Sequence, residues 1–111
     1  MIYDKENIFA KILRGEIPCD KIYEDEYILS FNDINPQAKM HILIIPKGPY
    51  IDIADFLQNA DSQYQTNFWL SVNTIIDDLD LRPKGFQIKT HKGKEGGQEV
   101  FHFHLHLLSN S

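Results

Sequence analysis

Cysteine is nearly missing from this 111-residue chain. Cys19 stands alone, so no intrachain disulfide can form and there is no Cys-x-x-Cys pair for metal or redox work. A reducing compartment, the cytoplasm, fits that usage. Long apolar runs are missing as well. The longest wholly apolar stretch, Ile42 to Pro46, is far below the roughly 20 residues a membrane helix needs. Met1-Ile-Tyr-Asp-Lys-Glu-Asn7 lacks the basic-then-apolar order of a secretion signal. Nor is there surplus positive charge. A formal net charge of -5 argues against a protein that grips nucleic-acid backbone. Repeats, linkers and low-complexity segments are also lacking. What remains is an ordinary globular composition, 42% hydrophobic and 24% charged. The length suits one domain, residues 1–111, with a core that needs no staples.

Along the chain, Ile8, Phe9, Ile12 and Leu13 recur at helical spacing, with Gly15 as a C-terminal stop and Pro18 beyond it. Lys21–Glu24 and Tyr27–Phe31 read as two strands of a hairpin across Asp25-Glu26. Asp33-Ile-Asn-Pro36 is turn chemistry, because Asp and Asn fold back on the main chain and the residue before Pro avoids helix. Met40–Ile45 is β-branched and apolar, a central strand stopped by Pro46. Residues 48–60 show no clear period. Ser62 with Gln65 is a capping-box signature, and Tyr64, Phe68, Val72, Ile75, Ile76 and Leu79 then mark one face of a long helix. Trp69 lies beside that stripe, at a core edge or against a partner. Arg82-Pro-Lys-Gly85 ends the helix. Phe86–Thr90 is a strand, Lys92–Gly97 a glycine-rich turn, and Glu99–Leu108 a last strand. With no βαβ alternation, the class is α+β: a mostly antiparallel sheet with helices packed on it.

That last stretch carries the chemistry. In His102-Phe-His-Leu-His-Leu-Leu108 three histidines alternate with apolar residues. On a strand, His102, His104 and His106 share one face at roughly 6.6 Å spacing, while Phe101, Phe103, Leu105 and Leu107 turn towards a core. Three imidazoles in a row are a costly way to cover a sheet. Neutral imidazole offers a nucleophilic nitrogen whose protonation is set by the bond on the other ring nitrogen. Repulsion between neighbouring rings keeps at least one of them neutral. The competing reading is a zinc site, since His-x-His pairs do ligate metals. No cysteine or acidic ligand is paired with them in a recognisable motif, so no metal is expected.

The His-φ-His-φ-His-φ-φ pattern (φ apolar) resembles that of the histidine triad family. Ile8-Phe-Ala-Lys-Ile12, Gly15-Glu-Ile-Pro18, Phe31-Asn-Asp-Ile-Asn-Pro-Gln-Ala38, His41-Ile-Leu-Ile-Ile-Pro-Lys47 and Gly96-Gly-Gln98 are similar to its Hint branch and in the same order. The resemblance implies a five-stranded antiparallel sheet with two helices, and a homodimer whose sheets join into one. It implies hydrolysis of adenosine phosphoramidate-like or acyl-adenylate substrates through a covalent nucleotidyl-histidine, with no cofactor. His104 is then the nucleophile, His106 contacts the phosphate oxygens and assists the leaving group, and His102 and His41 orient the others. An AMP-like purine nucleotide would lie over the first helix. It would also lie over the Phe31-Asn32-Asp33-Ile34 segment, with Ile8, Phe9, Ile12, Phe31 and Ile34 around the base. Asp33 would meet the ribose hydroxyls, and backbone N–H groups near Gly97 and Gln98 the phosphate.

Each of these residues also has a plain reading. Ile8, Phe9 and Ile12 are core by pattern alone, Asp33 starts a turn, the glycine loop is an ordinary hairpin, and His91 is a surface residue. Three departures from the branch stand out. A cysteine pair that helps bind zinc in many bacterial relatives is replaced by Asn7 and Ala10, so that structural metal is not expected. Glu99 stands where serine is usual near the leaving group, and His91 where asparagine is usual at the nucleotide. Ser111 follows soon after the triad, whereas the animal proteins continue in a tail towards the partner's site. Two further readings are a purine-nucleotide-binding regulatory protein with incidental turnover and a dinucleoside polyphosphate hydrolase of the Fhit type. The intact triad favours the phosphoramidase-like enzyme, because binding needs no neutral nucleophile.

Overall fold

A computed structural model describes residues 1–111. Helix α1 (Ile8–Leu13) precedes strands β1 (Lys21–Glu24), β2 (Ile28–Asn32) and β3 (Met40–Pro46). Helices α2 (Ile53–Asn59) and α3 (Ser62–Asp78) follow, then β4 (Gln87–Lys89), a 3-10 turn at Lys94–Gly96 and β5 (Leu105–Ser109). The sheet runs β1-β2-β3-β5-β4, and every neighbouring pair is antiparallel. The α+β class and the five antiparallel strands are as the sequence suggests. No helix is long and apolar enough to cross a membrane.

Strand period two splits the hydrophobic residues between the two faces of the sheet. Ile28, Ile42, Ile44, Leu105 and Leu107 join Phe56, Phe68, Val72, Ile75, Ile76 and Phe103 in the main core, which brings residues of α2 and α3 together with the sheet. Leu29, Phe31, Leu43 and Ile45 point the other way and pack with Phe9 of α1. The register sets His106 opposite Leu43 and His41 opposite Leu108. Directly paired residues share a face, so both histidines stand on the side that α1 covers.

Three expectations are corrected. There are three helices, not two: α2 forms where no period was visible. Its start is fixed by Asp52, whose carboxylate accepts from the Asp55 N–H, while the Asp55 carboxylate accepts from the Ile51 N–H. Helix α3 is capped by Asp61, not by a Ser62 box; Asp61 accepts from Tyr64 N–H at 2.7 Å. Gln65, the other half of the expected box, donates to the carbonyls of Leu57 and Ala60 instead. The last strand begins at Leu105 rather than Glu99. Its missing first half is bound to loops: Phe103 N–H donates to Tyr50 O, and the Thr90 hydroxyl donates to His104 O at 2.7 Å.

Candidate active site

Only His106 of the three alternating histidines lies on a strand, yet the alternation of sides outlasts the ladder. Phe103, Leu105 and Leu107 enter the main core. His102 and His104 turn to the opposite side, where Phe9 meets them edge-on at ring-centroid separations of 6.3 and 4.9 Å. His104 and His106 are 5.1 Å apart by ring centroid, and His41 and His106 also 5.1 Å. Four imidazoles from β3, β5 and the segment before β5 therefore form one cluster.

The partners fix which nitrogen of each ring carries the proton. A carbonyl can only accept. His104 Nδ1 lies 2.7 Å from His102 O, so Nδ1 is protonated and Nε2 keeps its lone pair. His102 Nε2 lies 2.9 Å from Pro46 O and must donate, leaving Nδ1 to accept from the Tyr3 hydroxyl at 2.6 Å. His41 Nδ1 accepts from the main-chain N–H of Gln37 at 3.0 Å, so a neutral His41 carries its proton on Nε2. That proton faces His106 Nδ1 at 2.9 Å and Asp33 Oδ2 at 3.3 Å. His106 Nδ1 is thereby an acceptor, and its Nε2–H is a free donor.

Burial keeps these rings uncharged. Loss of solvent pushes the titration of His102 down to about 4. His106 is likewise held near 4, first by burial and then by the neighbouring His104, His41 and His91 rings. His104 is lowered mainly by burial, partly offset by its bond to His102 O and by the charges of Asp33 and Glu99. At neutral pH the cluster holds an unprotonated His104 Nε2 beside a protonated His106 Nε2. A free imidazole lone pair thus stands beside a free N–H hydrogen-bond donor. Asp33, His41 and His106 also bring three ligand-type atoms within 4.8 Å of one another. Two of those atoms already share the His41 proton, so the spacing follows from a hydrogen bond.

The remaining predicted residues are placed unevenly. Phe9 and Phe31 are buried and 5.6 Å apart edge-to-face, forming an apolar floor. Ile12 packs on the same cluster, and Ile8 is largely exposed beside it. Ile34 projects into solvent, 97% exposed. Asn32 turns away and donates to Asp20 at 2.7 Å. Asp33 Oδ1 accepts from Asn35 N–H, the expected turn bond, while its other oxygen faces His41. His91 is not the surface residue its sequence context suggests: it is half-buried, 5.4 Å from His106 by ring centroid. Gly97 closes the turn at φ +88, a left-handed conformation that favours glycine, with the His91 ring 3.7 Å from where a Cβ would stand. Gln98 is buried, and its amide is spent on Gly93 N–H and the carbonyls of Ile51 and Val100. Glu99 is exposed and near enough for its charge to act on His104. Tyr3 went unnoticed in the sequence; only its position five residues ahead of α1 links it to the site.

Comparison with known proteins agrees with this geometry. The sequence model of the HIT domain matches residues 14–111. The chain belongs to the HIT family. It is 42% identical over 107 residues to an uncharacterised HIT-like protein of Rickettsia prowazekii, covering 96% of this chain and 89% of the relative. It is 37% identical over 105 residues to the purine nucleoside phosphoramidase of Escherichia coli, covering 94% and 87%. The crystal structure of a HIT family hydrolase from Legionella pneumophila superposes with a TM-score of 0.86 at 39% identity, covering 96% of this chain and 94% of that one.

Proposed function

We propose that this HIT protein is a nucleotide hydrolase that cleaves adenosine 5'-phosphoramidate-like or acyl-adenylate substrates at the α-phosphorus through a nucleotidyl-His104 intermediate. One observation carries the reading: His104 donates its Nδ1 proton to a main-chain carbonyl 2.7 Å away, which leaves Nε2 unprotonated. The Nε2 lone pair attacks phosphorus, and the P–N or P–O bond to the leaving group breaks. The departing amine or carboxylate accepts a hydrogen bond from His106 Nε2–H, which His41 orients through its own Nε2–H, and the amine takes its proton from solvent. Water then attacks phosphorus, the P–Nε2 bond breaks, the water's proton returns to solvent, and the nucleoside monophosphate leaves with the His104 ring neutral. Side-chain N–H donors of the histidine cluster meet the non-bridging oxygens; the main-chain N–H groups of Gly97 and Gln98, expected at the phosphate, are instead given to Lys94 O and Gly93 O, both at 3.0 Å. No metal is required by this sequence of steps.

The nucleotide is read as lying over α1, with Phe9, Phe31, Ile8 and Ile12 against the base. Asp33 oxygens retain lone pairs that can accept from ribose hydroxyls. His91, beside His106, and Glu99 stand on the leaving-group side. The similarity to the E. coli phosphoramidase supports the P–N bond as substrate. A homodimer acting in the cytoplasm completes the proposal. The test is release of the amine from an adenosine phosphoramidate by wild type and His104→Ala, with EDTA present. Turnover that EDTA does not slow, and that the substitution reduces at least about a thousandfold, is expected. Bound AMP without turnover in the wild type moves the assignment to a nucleotide-binding protein.

A further inference from the structure

We propose that Tyr3 is a positioning residue for the nucleophile: its hydroxyl satisfies the buried Nδ1 of His102 and so, together with the Pro46 carbonyl, holds that ring in one tautomer and orientation, and His102 in turn holds His104. The kinetic arm of this inference rests on the nucleotidyl-His104 reading; the structural arm does not.

The His102 ring has no exposure to solvent, so each ring nitrogen must find its partner within the protein. Nε2 donates to Pro46 O, which leaves Nδ1 as a buried acceptor. The Tyr3 hydroxyl fills it at 2.6 Å, with the two rings edge-to-face at 5.6 Å. Take the hydroxyl away and two outcomes open. The ring can flip its proton to Nδ1, which sets the Nε2 lone pair against the Pro46 carbonyl. Alternatively the ring can turn to seek another donor for Nδ1, which loosens its bond to the Pro46 carbonyl. Either change disturbs the residue whose carbonyl grips His104 Nδ1 at 2.7 Å. The titratable groups facing His102 are Tyr3 and His104; α1 presents Phe9 and β3 the Pro46 carbonyl.

Tyr3 is itself tied to α1. Asn7 caps that helix by accepting from Ala10 N–H, and its amide donates to the carbonyl of Asp4, the neighbour of Tyr3. Phe9, two residues into the helix, packs edge-on against His104 at 4.9 Å. Helix α1 therefore touches the nucleophile directly through Phe9 and indirectly through Tyr3 and His102. Asn7 and Ala10 occupy the positions where relatives were expected to carry a cysteine pair, and in this chain the segment is fastened by hydrogen bonds.

The experiment compares Tyr3→Phe and Tyr3→Ala with wild type by ¹⁵N NMR of the histidine rings and by steady-state phosphoramidate turnover. In Tyr3→Phe the His102 ring nitrogens are expected to show mixed tautomers, or a weakened Nε2–H bond to Pro46, as changed ¹⁵N shifts. kcat is expected to fall about tenfold with KM within about twofold, since a misplaced nucleophile costs rate rather than binding. Tyr3→Ala is expected to show the same His102 signature, so that restoring the ring alone rescues nothing. Wild-type ring shifts and wild-type kcat in Tyr3→Phe would overturn the proposal in favour of simple packing. So would a raised KM at unchanged kcat. If the wild type itself turns over no phosphoramidate, the functional reading fails, and the His102 resonances decide the clamp alone.

Discussion

Acid should weaken this fold through its buried histidines. His102 titrates near 4 in the folded protein and near 6.5 when unfolded. A histidine whose folded value is depressed contributes stability that is complete above 6.5, erodes as pH falls through that value and is gone below about 4. At pH 5 the unfolded chain has bound the proton and the folded chain has not. One and a half pH units at about 1.36 kcal/mol each give about 2 kcal/mol lost from His102 alone. His104 acts with the same sign, and His106, half-exposed, adds a discounted share. Glu24 is held near 2 by Lys21 and Lys47, so its own loss begins only below about 4.5 and leaves the window clear. Urea unfolding at pH 8 and pH 5 measures the difference. With a slope of about 2 kcal/mol per molar, the wild-type midpoint should drop by about 1 M or more, and His102→Gln should remove about 1 M of that drop. Equal midpoints at the two pH values, or an unchanged drop in His102→Gln, would refute the reasoning.

Two further outcomes follow from the packing. Phe56→Ala should cost about 3–5 kcal/mol by thermal or urea unfolding. Its fully buried ring stacks on Phe103 and tilts against Phe68, both at 4.9 Å, where no solvent can fill the gap. Asp61→Ala should cost about 1 kcal/mol, because its carboxylate caps α3 through Tyr64 N–H; Ser62→Ala, the cap the sequence suggests, should cost much less in the same melts.

The elements legible in the sequence are those whose periodicity is undisturbed by tertiary bonds. Helix α1 and strand β1 fall at their expected bounds, and β2, β3, β4 and α3 within a residue or so. Helix α2 is only seven residues long, so although Ile53, Phe56, Leu57 and Ala60 stand at helical spacing they span barely two turns and are easily missed between loops. Its signal lies in Asp52-x-x-Asp55, two carboxylates that satisfy Asp55 and Ile51 N–H groups. The early start assigned to the last strand has a different cause. Alternating side chains do imply extended backbone, and Phe103, Leu105 and Leu107 do share the core side. A ladder needs a partner strand as well. Tyr50 O and the Thr90 hydroxyl take the main-chain groups of Phe103 and His104, so pairing starts only at Leu105. The histidine cluster was legible from spacing, and His41 from the family resemblance. His91 came only through the resemblance and Tyr3 not at all, because a ring's depth and a contact between residues 99 apart have no local signature.

The departure from the ladder also matters for the chemistry. A histidine within a strand points its ring away from the sheet, and its neighbours' carbonyls are spent on cross-strand bonds. The His102 carbonyl lies outside the ladder, and His104 Nδ1 can reach back two residues to it. His106, inside the ladder and opposite Leu43, has no such bond and instead accepts from His41. The same residue type thus presents opposite ring nitrogens at positions two apart: a lone pair on His104 Nε2 and a proton on His106 Nε2. A regular strand through His102, His104 and His106 would give three equivalent environments and no such difference. The break in pairing just before Leu105 is what separates a free lone pair from a free N–H.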